Sequence, residues 1–163
     1  MVQELTQEIV KKLLEYDPET GILRWKISGH GKNIGQEAGG IHKYDKYKIL
    51  SIYGKQYKYH RVAWLWFYGK WPENVIDHIN GIKTDNRITN LRDVSVKINR
   101  QNYTKPTIKN KTGFLGVRKV GKKWYSSINV NSKVISLGAY KTPELAYNAY
   151  VVAKRQHHPG CTI

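Results

Sequence analysis

Asp77 and His78 stand side by side in the segment 74–102, and asparagines follow them through a turn-rich stretch into what reads as a helix. An imidazole with an ordinary pKa of roughly 6.5 is partly neutral near pH 7 and can take a proton from water. A carboxylate and side-chain amides offer the oxygen ligands that a hard divalent cation requires. A base for water and a cation for developing charge are what hydrolysis of a phosphodiester needs. If "NVIDHI" is a strand, successive side chains leave opposite faces, so Asp77 and His78 would flank a phosphate rather than compete for one spot. A second ligand must come from elsewhere, and Asn99 and Asn102 on the following helix are both open to that role. The bland reading of the same residues is a polar hairpin with a helix cap, because loop asparagines usually make turns.

Several elements must position this segment. Leu5, Ile9, Val10, Leu13 and Leu14 fall at helical spacing, with Asp17-Pro18 as the expected stop. "PETGILRWKI" reads as a turn into a strand bearing Leu23, Trp25 and Ile27, and "YKILSIYGKQYKYH" as strand, bend at Gly54, and strand. "HRVAWLWFYGKW" is apolar nearly all round, so a buried helix closed by Pro72 is expected, with Trp64, Trp66 and Phe67 in the core and His60 as a packed or capping residue. "NLRDVSVKINRQN" is expected to be one helix, and Asn80-Gly81 a turn. His30, His42, His157 and His158 are assigned no role. The glycines of "GHGKNIGQEAGG" lack the strand–glycine–helix order of a phosphate cradle and read as turns.

The chain of 163 residues carries 28 Lys+Arg against 12 Asp+Glu, a net charge of +16. Such an excess favours polyanions. No apolar run approaches the roughly 20 residues of a membrane span, and neither a long basic amphipathic helix nor a lipidation motif points to a membrane surface. Nucleic acid is the expected partner. The acidic, amphipathic N-terminus indicates neither a signal nor a transit peptide. The single Cys161 excludes an internal disulfide and a cysteine-based zinc finger, so a reducing, cytoplasmic compartment is expected. The charge is uneven. Residues 104–163 hold 11 basic residues and one acid, Glu144, in the shorter part of the chain, which argues for two modules.

The order "HRVAW", then "DHINGIKTDNRITNLRDVS", with Asn90 and Asn99 at their spacings, resembles the ββα-metal motif of HNH endonucleases, closest to phage and intron proteins and in the variant whose last histidine is asparagine. By that resemblance His78 is the general base and Asp77 the first metal ligand. Asn90 is the middle asparagine of the catalytic set, which pins the loop by hydrogen bonds rather than reacting, and Asn99 is the helix-borne second ligand. A carboxylate–amide pair implies Mg²⁺ or Mn²⁺ rather than Zn²⁺, with phosphate oxygens completing the shell. Arg87 and Arg92 are candidate phosphate contacts, though a solvated face explains them as well.

In the tail, "KKWYSSINV" alternates Trp124, Ser126, Ile128 and Val130 on one side with Tyr125, Ser127 and Asn129 on the other. The first side is expected to pack on Ala146, Ala149, Tyr150 and Ala153 of a helix capped by Thr142 and started by Pro143. The second is polar, flanked by Arg118, Lys119, Lys122 and Lys123. "GFLGVRKV", "KKWYSSINV" and "SKVISLGAY" followed by "TPELAYNAYVVA" resemble the plant ethylene-responsive (Apetala-two) DNA-binding domain over residues 113–156. In that family three strands enter the major groove and the helix backs them. Ser127 and Asn129 stand where the plant domain has charged readers, so its target sequence does not transfer.

The expectation is an α+β chain. A ββα-metal nuclease module with an N-terminal helix and strands spans residues 1–103, and a lysine-rich linker spans 104–112. A three-stranded antiparallel sheet packed on one helix follows at 113–158. The expected activity is metal-dependent hydrolysis of double-stranded DNA by a phage or homing-type enzyme, lodged in the host cytoplasm if phage-encoded. It would nick, leaving 5′-phosphate and 3′-OH, as a monomer or homodimer with no other protein partner. The rival expectation is a sequence-specific DNA-binding regulator with a non-catalytic HNH-like module.

Overall fold

The computed structural model describes residues 4–29, 31–107 and 110–163, so His30 and, in the expected linker, Ile108 and Lys109 lie outside the described residues. The chain is α+β, with four helices and small antiparallel sheets among the described residues. It divides into two compact units, Met1–Ser95 and Val96–Ile163. No helix among the described residues is long and apolar enough to cross a membrane.

The first unit begins with helix α1 (Gln7–Leu13), whose N-terminus is capped by Thr6 accepting from the Ile9 amide at 3.4 Å. The helix stops short of Asp17, against expectation. Leu14–Asp17 is strand β1, paired antiparallel with β2 (Ile22–Trp25) in the register Leu14↔Trp25. Leu14 and Tyr16 are both buried, an alternation of period two that the adjacent helix-spaced leucines mask in the sequence. Strands β3 (Gly40–Ile41), β4 (Lys48–Ile52) and β5 (Lys55–Lys58) form a second antiparallel sheet, turning at Tyr53-Gly54. Both turn residues have positive φ, as a tight hairpin of matching twist requires.

Helix α2 (Tyr59–Tyr68) buries Tyr59, Val62, Ala63 and Leu65. It is one-sided rather than buried all round: Phe67 and Tyr68 are exposed, and Trp64 and Trp66 only partly covered. Gly69, in the left-handed conformation with its N–H on the Leu65 carbonyl, ends the helix before Pro72 is reached. Strand β6 (Val75–His78) pairs antiparallel with β7 (Leu91–Val94), after a 3-10 turn at Ile88–Asn90. The helix expected over 90–102 is therefore mostly wrong in its first half. Leu91, Val94 and Ile98 mimic helical spacing, yet β6 needs a partner for its backbone groups, and residues 91–94 supply it. One core, including Val10, Leu14, Leu23, Leu50, Ile52, Val62, Leu65, Ile76, Ile88 and Leu91, joins these elements apart from the exposed β3.

The second unit starts with the short helix α3 (Val96–Gln101), so the compact units divide before this helix and not after it. A meander follows: β8 (Val117–Val120), β9 (Lys123–Val130) and β10 (Lys133–Tyr140), in the order β10-β9-β8. Helix α4 (Pro143–His157) is capped by Thr142 with Pro143 in its first turn, as its sequence predicts. Val117, Ser126 and Ile128 of the sheet and Ala146 and Ala153 of α4 are buried. Gly116, with φ of 68°, lies so close to Tyr150 that an added Cβ would stand 2.0 Å from its ring.

Candidate active site and nucleic-acid surface

Strand register sets the first pair of site residues. Asp77 lies opposite Arg92 and His78 opposite Leu91, so the two site side chains leave opposite faces of the ribbon. Arg92 donates from Nε (2.9 Å) and Nη2 (2.7 Å), both to Asp77 Oδ2. Both Asp77 and His78 are buried.

The loop between β6 and β7 explains the asparagines. Asn80 Nδ2 donates to Asp85 Oδ2 at 2.6 Å, and the Asn80 amide donates to Asn90 Oδ1 at 2.9 Å. Asn90 Nδ2 donates to Asn80 Oδ1 (3.0 Å) and to the Asp85 carbonyl (2.8 Å). Arg87 grips Asp85 through Nε (2.8 Å) and Nη2 (2.6 Å) and holds that carboxyl well below the usual carboxylate range. Arg87 is thus a clamp within the loop. Asn90 is 7 % exposed and bonds both ends of the loop together.

His78 meets a cluster that sequence reasoning missed. Its Nε2 is 3.2 Å from Asn86 Oδ1, and its ring stands edge-on to His60 at a centroid distance of 5.1 Å. Tyr47 closes the group, 5.2 Å from His60 and 5.8 Å from His78. Burial holds the His78 imidazole below its ordinary value, against the hydrogen bond it makes to the Asn86 oxygen, which raises it. Burial, and then the neighbouring His78, takes His60 down to about 3. Both rings are neutral at pH 7. His60 Nδ1 is buried with no hydrogen-bond partner among the described residues. Only the position of His60 in "HRVAW" hinted at this cluster. Asn86 and Tyr47 left no signal, because their role depends on which strands pair.

The amide candidates for the second ligand belong to the second unit. Asn99 is on α3 and partly buried. Asn102 is buried just beyond it, and its Oδ1 accepts a hydrogen bond from the Thr162 hydroxyl. Among the described residues no three His, Cys, Asp or Glu cluster as a metal site. Asp77 and these amides offer oxygen donors of the kind a hard divalent cation takes.

In the sheet of the second unit, register pairs Arg118 with Tyr125, Lys119 with Trp124 and Val117 with Ser126. Ser126 is buried, so Arg118, Tyr125, Ser127 and Asn129 share the outer face. The Arg118 guanidinium sits 5.3 Å over the Tyr125 ring. Val134 and Ser136 of β10 stand opposite Asn129 and Ser127 on the same face. Lys119 does not share it: its ammonium lies 5.2 Å over Trp124 on the side of Ser126 and Ile128. Lys122 and Lys123 are exposed at the β8–β9 turn.

Residues 57–101 match the sequence profile of the HNH endonuclease family. The matched segment runs from β5 through α3 and includes Asp77, His78, Asn90 and Asn99. The match supports an HNH nuclease module over that segment; nucleases of that family act on DNA and generally use a divalent metal. No curated protein and no solved structure matches the chain.

Proposed function

We propose that the chain is a metal-dependent DNA endonuclease of phage or homing type, nicking one strand at a time and leaving 5′-phosphate and 3′-OH. The observation that carries this reading is His78: a buried imidazole, kept neutral by its surroundings, one residue from Asp77 inside the matched segment. A neutral imidazole at pH 7 is a base ready for use.

In the reaction a water loses a proton to the His78 ring as its oxygen attacks phosphorus in line. The P–O3′ bond breaks, the leaving 3′ oxygen takes a proton from a solvent water, and the phosphate stays on the 5′ side. Asp77, inside the matched segment, is the residue of the first unit that would hold Mg²⁺ or Mn²⁺. A bound cation supplies Lewis-acid stabilisation of the negative charge on the phosphate and on the departing oxygen. Of the two amides in the second unit, Asn102 already spends its oxygen on the Thr162 hydroxyl. Arg92 neutralises Asp77 in part, so free metal should bind weakly and phosphate oxygens should strengthen it. Asn90 holds the loop rather than reacting.

The tail is the address. Arg118, Tyr125, Ser127 and Asn129 form an outer face that suits a duplex major groove, with Lys122 and Lys123 at its end and Lys119 to the side as phosphate contacts. Arg87, already paired with Asp85, would touch phosphate only through donors outside that pair.

The test uses supercoiled plasmid. Wild type with Mg²⁺ is expected to make open circles, and EDTA or His78→Ala to reduce the rate by at least about 100-fold. Shifted but uncut DNA with both proteins would sink the nuclease reading and leave a regulator.

A further inference from the structure

Asn86 is 1 % exposed, a nearly complete burial for a polar side chain in a loop. Its Nδ2 donates to the Thr84 carbonyl at 3.1 Å. That bond sets which end of the amide points where: the oxygen Oδ1, an acceptor only, faces His78 Nε2 at 3.2 Å. An acceptor at that distance requires a proton on Nε2. The neutral imidazole is then the Nε2–H tautomer, and its basic nitrogen is Nδ1.

The backbone of Asn86 is held from behind by the N-terminal hairpin. Tyr16 donates its hydroxyl to the Asn86 carbonyl at 2.6 Å, a buried bond spanning 70 positions of sequence. Gly21, with φ of 71°, touches the same peptide: a Cβ there would stand 2.4 Å from the Asn86 carbonyl carbon and 2.3 Å from the Arg87 nitrogen. The Ile88 amide donates to the Pro18 carbonyl at 3.2 Å. Three contacts from the β1–β2 hairpin thus set where residues 86–88 sit, and so how far Oδ1 stands from the imidazole.

We propose that Asn86 is a positioning residue that selects the Nε2–H tautomer of His78 and aims Nδ1 as the proton acceptor, with the Tyr16–Gly21 turn as its backstop. The inference rests on the reading of His78 as general base. It assigns a function to the N-terminal hairpin, which lies outside the segment matched to the HNH family.

The test is long-range ¹H–¹⁵N correlation on histidine-labelled protein, with His78→Ala identifying the His78 signals. Wild type is expected to show Nε2–H. Asn86→Ala is expected to show a mixture of tautomers, and Asn86→Asp, whose carboxylate still accepts, to restore Nε2–H. In plasmid nicking, Asn86→Ala should lose about 10–100-fold in kcat with KM within about threefold, and Asn86→Asp should recover most of it. A wild-type Nδ1–H signal overturns the inference, as does an Asn86→Ala protein with unchanged tautomer and kcat. The wild-type spectrum stays decisive if Asn86→Ala fails to fold. If wild type does not nick but its tautomer still follows residue 86, the positioning stands and the nuclease reading alone falls. If wild type nicks with Nδ1–H, the reverse holds.

Discussion

His78 and His60 face one another edge-on inside the first unit, and burial keeps both uncharged. Two consequences differ in kind. A base whose pKa is depressed works when neutral, so nicking should fall as pH drops through a midpoint below about 6.5 and stay level above it. A pH–rate profile measured at saturating metal, with the midpoint above 7, would contradict this. For stability, the unfolded His60 binds a proton near pH 6.5 while the folded one does so only near 3. Its contribution is complete above about 6.5 and is lost as pH falls through the window from about 6.5 to about 3. Denaturant midpoints of wild type and His60→Phe should therefore converge or cross as pH is lowered through that window. Identical pH slopes for the two would exclude His60 as the cause. The proposed role of His78 was legible in the sequence; its pairing with His60 was not, since the sequence marks His60 only as a histidine at the start of an apolar helix.

At the scale of elements, the β6–β7 ribbon and its loop act as one unit held by amides. Asn90 makes three of the loop's side-chain bonds, two to Asn80 and one to the Asp85 carbonyl. Asn90→Ala strands those partners and should destabilise by about 1–3 kcal/mol, read as a lower melting temperature. A change within about 0.5 kcal/mol would mean that water replaces the amide. Gly116 is the matching weak point of the second unit. Its positive φ and the Tyr150 ring leave no space for a Cβ, so Gly116→Ala should cost about 1–3 kcal/mol by the same measurement. Element types with strong local signals were legible: the Thr142-Pro143 start of α4, the Gly54 bend and the alternation of β9. Those with mixed periodicity were not. Leu14 continues the helical spacing of α1, and Leu91 and Val94 share it with Ile98, yet 14–17 and 91–94 each became a strand because a neighbouring strand lacked a partner.

Across the whole molecule the positive charge is the dominant feature, and it is densest per residue in 104–163. Binding to duplex DNA should weaken steeply with salt, and Arg118→Ala should lower the slope of log affinity against log salt by about 1. An unchanged slope would remove Arg118 from the phosphate contacts. Net charge, the single cysteine, the α+β class and the Asp77-His78 motif with its trailing asparagines are properties of the chain read in order. Composition and short-range spacing carry them, so the sequence alone determined them. Tertiary structure decided the rest. It put Arg92 on Asp77, Asn86 on His78 and Tyr16 behind Asn86, through contacts spanning 15, 8 and 70 positions. It also turned Lys119 to the face of Trp124. Such pairings depend on strand register and on which surfaces the core buries together, and no local pattern of residues encodes a partner that far away.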